Sequence, residues 1–134
     1  MRKLVIYTLL FFCQVIMAQS ASEAESLFNS KQYAKAKTMY EALLKKKPND
    51  ALNNYRLARC CYELNQYEDA VKYFERSGNR YTLKDLYLGE AYFHTYRFDL
   101  SVSAYQTFIA TLTPTDERLE ELNLRLKKSE LAAR

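Results

Sequence analysis

Residues 85–93 read DLYLGEAYF, and the glycine inside this stretch opens the question of the fold. A glycine within a helix costs about 1 kcal/mol relative to alanine. Close approach of a neighbouring backbone offsets that cost. Gly89 stands four residues after Asp85 and three before Tyr92, which is the spacing of one helical stripe. The arrangement recurs. In NNYRLARCCYEL, residues 53–64, Ala58 stands four after Asn54 and three before Cys61. A weaker copy sets Ala24 four after Ser20 and three before Leu27.

A second pattern follows each of these stretches. Tyr33, Tyr67 and Phe98 each come after a short polar turn, 34 and 31 residues apart. Three residues later stand Ala36, Ala70 and Ser101, and four further on Tyr40, Phe74 and Tyr105. Both patterns are helical, and two helices per period make a hairpin. The small residues Ala24 and Ala36, Ala58 and Ala70, Gly89 and Ser101 are expected to face each other and let the paired helices approach. Only two glycines and two prolines agree with a helical chain.

LGEAY at 88–92, AKTMY at 36–40 and AVKYF at 70–74, with Pro48 and Pro114 near unit ends, resemble the tetratricopeptide repeat (TPR). The likeness covers roughly residues 20–114. It implies an all-α, right-handed α-solenoid of three TPR helix hairpins plus a C-terminal capping helix. The units fall at about 19–50, 51–81 and 82–114, with the cap at 115–134. There are departures. The tryptophan place of the repeat holds Ser20, Asn54 and Asp85, and the second unit is three residues short. Gly78 is expected to end that unit's second helix as a C′ residue. Ser22 with Glu25 and Thr82 with Asp85 have capping-box spacing. Asn49 and Asp50 can cap the helix after Pro48. Pro114 is expected near the start of the last helix, whose Leu119, Leu122 and Leu126 form one stripe.

The N-terminus has another character. MRKLVIYTLLFFCQVIMAQS carries Arg2 and Lys3, an apolar run from Leu4 to Ala18, then Gln19. That is the form of a secretory signal peptide, residues 1–18, cut between Ala18 and Gln19. The run of about 15 residues is short for a span of about 20, with an uncleaved anchor as the alternative. Phe11 and Phe12 before Cys13 do not suit lipid attachment. The expected location is periplasmic or secreted, in a Gram-negative envelope, with the membrane met only through the transient leader. Removing 1–18 takes away two bases and no acid, lowering the formal charge from +4 to +2. That is no electrostatic footprint for nucleic acid.

No catalytic set or cofactor motif is legible, so an enzyme is not expected. Gly78 and Gly89 cannot form a phosphate loop. Cys60, Cys61 and His94 lack the spacing of a zinc site. The adjacent cysteines diverge on a helix and are expected to be buried. No cofactor and no small-molecule substrate is implied.

The resemblance implies that function lies in a concave groove lined by the first helix of each unit. The matching places are Glu25 and Phe28 in unit one. In unit two they are Tyr55, Arg59, Tyr62 and Glu63, and in unit three Leu86, Glu90, Phe93 and His94. A carboxylate clamp of the co-chaperone type does not fit: its places hold Ala21, Glu25, Tyr55, Arg59, Leu86 and Glu90, of which only Arg59 suits. The expected function is an exported module that binds a peptide or helix of a protein partner of the envelope in its concave groove. The alternative is the N-terminal structural head of a larger cell-envelope assembly.

Overall fold

The computed structural model describes residues 6–7 and 20–134. The signal peptide at 1–18, its cut before Gln19 and the question of Cys13 lie outside these residues, apart from Ile6 and Tyr7, which are helical and exposed. Every regular element among the described residues is a helix. α1 includes 20–29, α2 is Tyr33–Lys46, α3 Ala51–Glu63 and α4 Tyr67–Arg76. α5 is Lys84–His94, α6 Phe98–Ile109 and α7 Leu119–Ala132. From α2 onward, helices pack mainly on their neighbours in the chain, and α3 also touches α5. The result is an α-solenoid.

The second helices begin at Tyr33, Tyr67 and Phe98, the three aromatics that head the sequence periods. Their small residues are sealed: Ala24, Ala36, Ala58, Ala70 and Ser101 are all 0 % exposed. In unit three the Ser101 hydroxyl donates to the Gly89 carbonyl at 2.7 Å. A Cβ on Gly89 would meet the Tyr105 ring at 2.8 Å. The glycine therefore makes room for the aromatic of α6 as well as for its small residue. Asn54, in the tryptophan place, is also fully buried. Its Nδ2 donates to the carbonyls of Pro48 and Asp50, tying α3 to the turn before it.

Each first helix ends in the same turn. Lys31, Asn65 and Tyr96 adopt φ of 59°, 58° and 60°, each two residues before a second helix. The next N–H reaches back five residues, from Gln32 to Leu27, Gln66 to Cys61 and Arg97 to Tyr92. This is the Schellman bond that satisfies a terminal carbonyl. Gly78, at φ +72°, follows α4 as expected. The buried Lys84 then donates from Nζ to the Gly78 carbonyl and to Asn79 Oδ1, both at 2.7 Å, holding the loop after this ten-residue helix.

Several capping expectations are corrected. Asp50 does cap α3, accepting from the Asn53 N–H at 2.8 Å. Thr82 and Asp85 form no capping box, because α5 begins at Lys84 with Leu83 as its cap residue and no side-chain cap bond. Ser22 lies inside α1, which already includes residue 20. Pro114 stands in a turn, and α7 starts only at Leu119. Asp116 holds that turn by accepting from the Arg118 N–H and guanidinium. α7 docks through Leu122 and Leu126 against Tyr105 and Phe108. Its Ser129 hydroxyl lies 2.9 Å from that of Ser101, so the seam of small residues runs on into the cap.

Cys60 and Cys61 are unpaired and 0 % exposed. Burial pushes both thiols up to about 12, so they behave as small apolar groups.

Candidate functional site

The residue after the small position on each first helix is Glu25, Arg59 or Glu90. In units one and three it meets a tyrosine of the second helix and an arginine of the next element. Tyr40 donates its hydroxyl to Glu25 at 3.0 Å, and Arg56 of α3 donates to the same carboxylate. Tyr105 donates to Glu90 at 2.8 Å, and Arg125 of α7 donates to it at 2.5 Å. Each glutamate thus staples three helices. Burial, reinforced by the adjacent carboxylate, raises the pKa of both tyrosines. In the middle unit both members change: Phe74 replaces the tyrosine and Arg59 the glutamate.

Arg59 turns to other partners. It donates to Glu63 at 2.9 Å, and its guanidinium lies 3.8 Å from the Tyr87 ring centroid and 5.8 Å from that of Phe28. Arg56 lies 4.7 Å from the Phe28 centroid. Burial pulls the Arg59 pKa down, but the bond to Glu63 and the neighbouring Tyr87 outweigh it, and the net shift is upward. These are cation–π distances.

The same aromatic contact recurs in every unit. The last turn of each first helix sets a ring edge-on to the first residue of the second helix. The pairs are Phe28–Tyr33 at 5.6 Å, Tyr62–Tyr67 at 5.9 Å and Phe93–Phe98 at 5.5 Å. Cross-unit contacts join them. Arg59 and Tyr87 link Phe28 to Tyr62, with Tyr62 and Tyr87 at 4.9 Å. His94 links Tyr67 to Phe93, stacking on Tyr67 at 4.2 Å and 8°. Tyr96, 82 % exposed, extends the run beyond Phe98. The outcome is a continuous ladder of rings and guanidinium groups from α1 to the turn after α5. Burial raises the Tyr62 hydroxyl to about 12 and lifts Tyr67 and Tyr87 as well.

Of the residues expected at the groove, Glu25, Phe28, Arg59, Tyr62 and Glu63 cluster around the first two units. Glu90, Phe93 and His94 gather at the third. There a cleft of about 300 Å³ opens between α5 and α7, lined also by Tyr105, Glu121, Leu124, Arg125 and Lys128. His94 Nε2 stands 3.3 Å from Glu90. Tyr55 is corrected to a core position: it is 8 % exposed, stacked on Tyr81 at 4.1 Å and edge-on to Phe74. Leu86 likewise packs with the Tyr105–Phe108 cluster. Among the described residues no three His, Cys, Asp or Glu side chains come together in a way that could hold a metal. No described helix is long and apolar enough to cross a membrane.

The family model described as tetratricopeptide repeat matches residues 18–83, which hold the first two hairpins. The chain is a tetratricopeptide-repeat protein. No curated protein matches its sequence. Among solved structures, this TPR protein is similar to the Yersinia enterocolitica type III secretion chaperone SycD, solved with a peptide of the translocator YopD. The TM-score is 0.68 at 16 % identity, over 87 % of this chain and 94 % of that one. It is also similar to the TPR2B domain of yeast Sti1, solved as a pHsp70 complex, with a TM-score of 0.65 at 13 % identity over 86 % and 96 % of the two chains. At these identities the likeness is one of fold.

The TPR pattern alone did not single out Arg56, Tyr87 or Arg125, which complete the staples and the ladder, and it read Tyr67 only as a helix head. One signal was present. An aromatic stands five residues before Tyr33, Tyr67 and Phe98 in all three units, at Phe28, Tyr62 and Phe93.

Proposed function

We propose that this TPR protein is an exported, non-catalytic module that binds a peptide or helical segment of an envelope protein on its concave face. The observation that carries the reading is the ladder: half-buried tyrosine, phenylalanine and arginine side chains joined across all three units. Aromatic and arginine side chains of this kind dominate binding energy at protein interfaces. A preformed scaffold spends little ordering entropy on association. The two structural neighbours, each solved with a peptide or protein partner, support the same use of the fold. The basic, apolar and small-residue order of the first twenty residues supports export.

A second reading is favoured by α7. Leu124 and Leu131, seven residues apart on that helix, are 55 % and 56 % exposed. Such a stripe suits permanent packing within a larger envelope assembly.

The test compares cross-linked capture from an envelope fraction by the native chain, by Arg59→Glu/Tyr62→Ala and by Leu124→Ser/Leu131→Ser. The groove reading expects one partner that only the first double variant loses, with far-UV circular dichroism unchanged. Loss confined to the α7 variant replaces it with the assembly reading. N-terminal sequencing of the mature protein is expected to start at Gln19, and an intact Met1 refutes cleavage.

A further inference from the structure

We infer that the ladder takes a proline-rich segment in the polyproline II conformation; this rests on the groove reading above and names its occupant. Three observations point to it. First, the surface is made of ring faces and edges in sequence from unit to unit, with Tyr62, Tyr67 and Tyr87 half-buried. Pyrrolidine rings pack on aromatic side chains, and a polyproline helix loses little conformational entropy on binding because its backbone is already extended.

Second, the hydroxyls of Tyr62 and Tyr87 bond to no group among the described residues. A polyproline II strand has no internal hydrogen bonds, so its carbonyls all seek outside donors. Tyrosine hydroxyls beside aromatic faces supply donors without adding charge.

Third, the charges on the ladder are already matched. Arg56 bonds Glu25, Arg59 bonds Glu63, and Glu90 faces both Arg125 and His94. A charged occupant would have to break one of these pairs, and only at the α7 end does a further cation, Lys128, line the cleft beside Phe93 and His94. An uncharged segment that offers only rings and carbonyls complements the ladder as it stands.

The experiment titrates the chain into a fluorescein-labelled oligoproline of about ten residues, roughly 31 Å long at 3.1 Å per residue. Anisotropy is the readout. An amphipathic helical peptide and an acidic peptide of equal length serve as rivals. The expected result is saturable binding of the oligoproline that neither rival displaces. Tyr62→Phe/Tyr87→Phe, which keeps both rings and removes both hydroxyls, is expected to weaken it about tenfold at unchanged helicity. Binding of a rival in preference to oligoproline, lost in Arg59→Glu/Tyr62→Ala, overturns the occupant and leaves the groove standing. Oligoproline binding that ignores the Tyr→Phe change overturns the role of the hydroxyls and with it the inference. If none of the three peptides binds, the inference falls, while the groove is judged separately by partner capture.

Discussion

Phe74 and Arg59 sit where the flanking units place a tyrosine and a glutamate, and the exchange is paired. A tyrosine at 74 would carry a hydroxyl into a site that is 0 % exposed, and the matching position of the first helix holds Arg59 in place of a glutamate. An unmet buried hydroxyl costs about 1–3 kcal/mol. Phe74→Tyr is therefore expected to destabilise by about that amount in urea unfolding. Adding Arg59→Glu rebuilds the staple of Tyr40–Glu25 and Tyr105–Glu90 and is expected to recover part of the loss. Additive single effects in this double-mutant cycle would refute the pairing. The exchange also frees Arg59 for Tyr87 in the next unit, so one pair of substitutions converts a structural staple into a rung of the ladder.

The second helices start at the residues their sequence period indicates, because an aromatic head and a small residue three later are local signals that tertiary packing here reinforces. Helix ends driven by less local chemistry were harder to read. Thr82 and Asp85 have capping-box spacing, yet α5 begins between them, because the buried Lys84 is drawn back to Gly78 and Asn79. Pro114 suits a first helical turn, but the Asp116–Arg118 turn delays α7 to Leu119. The caps give a direct comparison by chemical denaturation. Asp50→Ala removes a 2.8 Å bond and is expected to cost about 1 kcal/mol. Thr82→Ala removes none at the start of α5 and should stay within about 0.5 kcal/mol. A larger loss at Thr82 than at Asp50 would contradict the observed boundaries. The residues expected at the groove divide in the same way. Among the residues expected there, Phe28 and Phe93 make the edge-on contact with the head of the next helix that their repeat position implies. The burial of Tyr55 has no such signal, since it depends on Tyr81, delivered by the loop after the short α4. Arg125 meets Glu90 from 35 residues away, a contact with no local signature.

For the whole molecule, buried neutral groups set a limit at high pH. Tyr62, Tyr92, Cys60 and Cys61 are each pushed up to about 12, chiefly by burial, from ordinary values of 10 for tyrosine and 9 for cysteine. The folded state favours their protonated forms. Their contribution to stability is complete below pH about 9 and falls as the unfolded chain begins to ionise where the folded chain does not. It is lost as pH rises through about 12. Helix content followed by circular dichroism is expected to collapse between these limits, as tyrosinate absorbance from the buried rings appears. Titration of all tyrosines near 10 with helices intact would show that these hydroxyls are not sealed.

The ladder also has an optical consequence. The chain contains twelve tyrosines and no tryptophan, and Tyr62 and Tyr87 lie 4.9 Å apart within it. Excitation absorbed by one ring can migrate among its neighbours, with no indole in the chain to drain it. A partner bearing a single tryptophan near the ladder would become the energy sink. Occupancy of the ladder would then shift the emission to the colour of indole, with the protein acting as its own antenna.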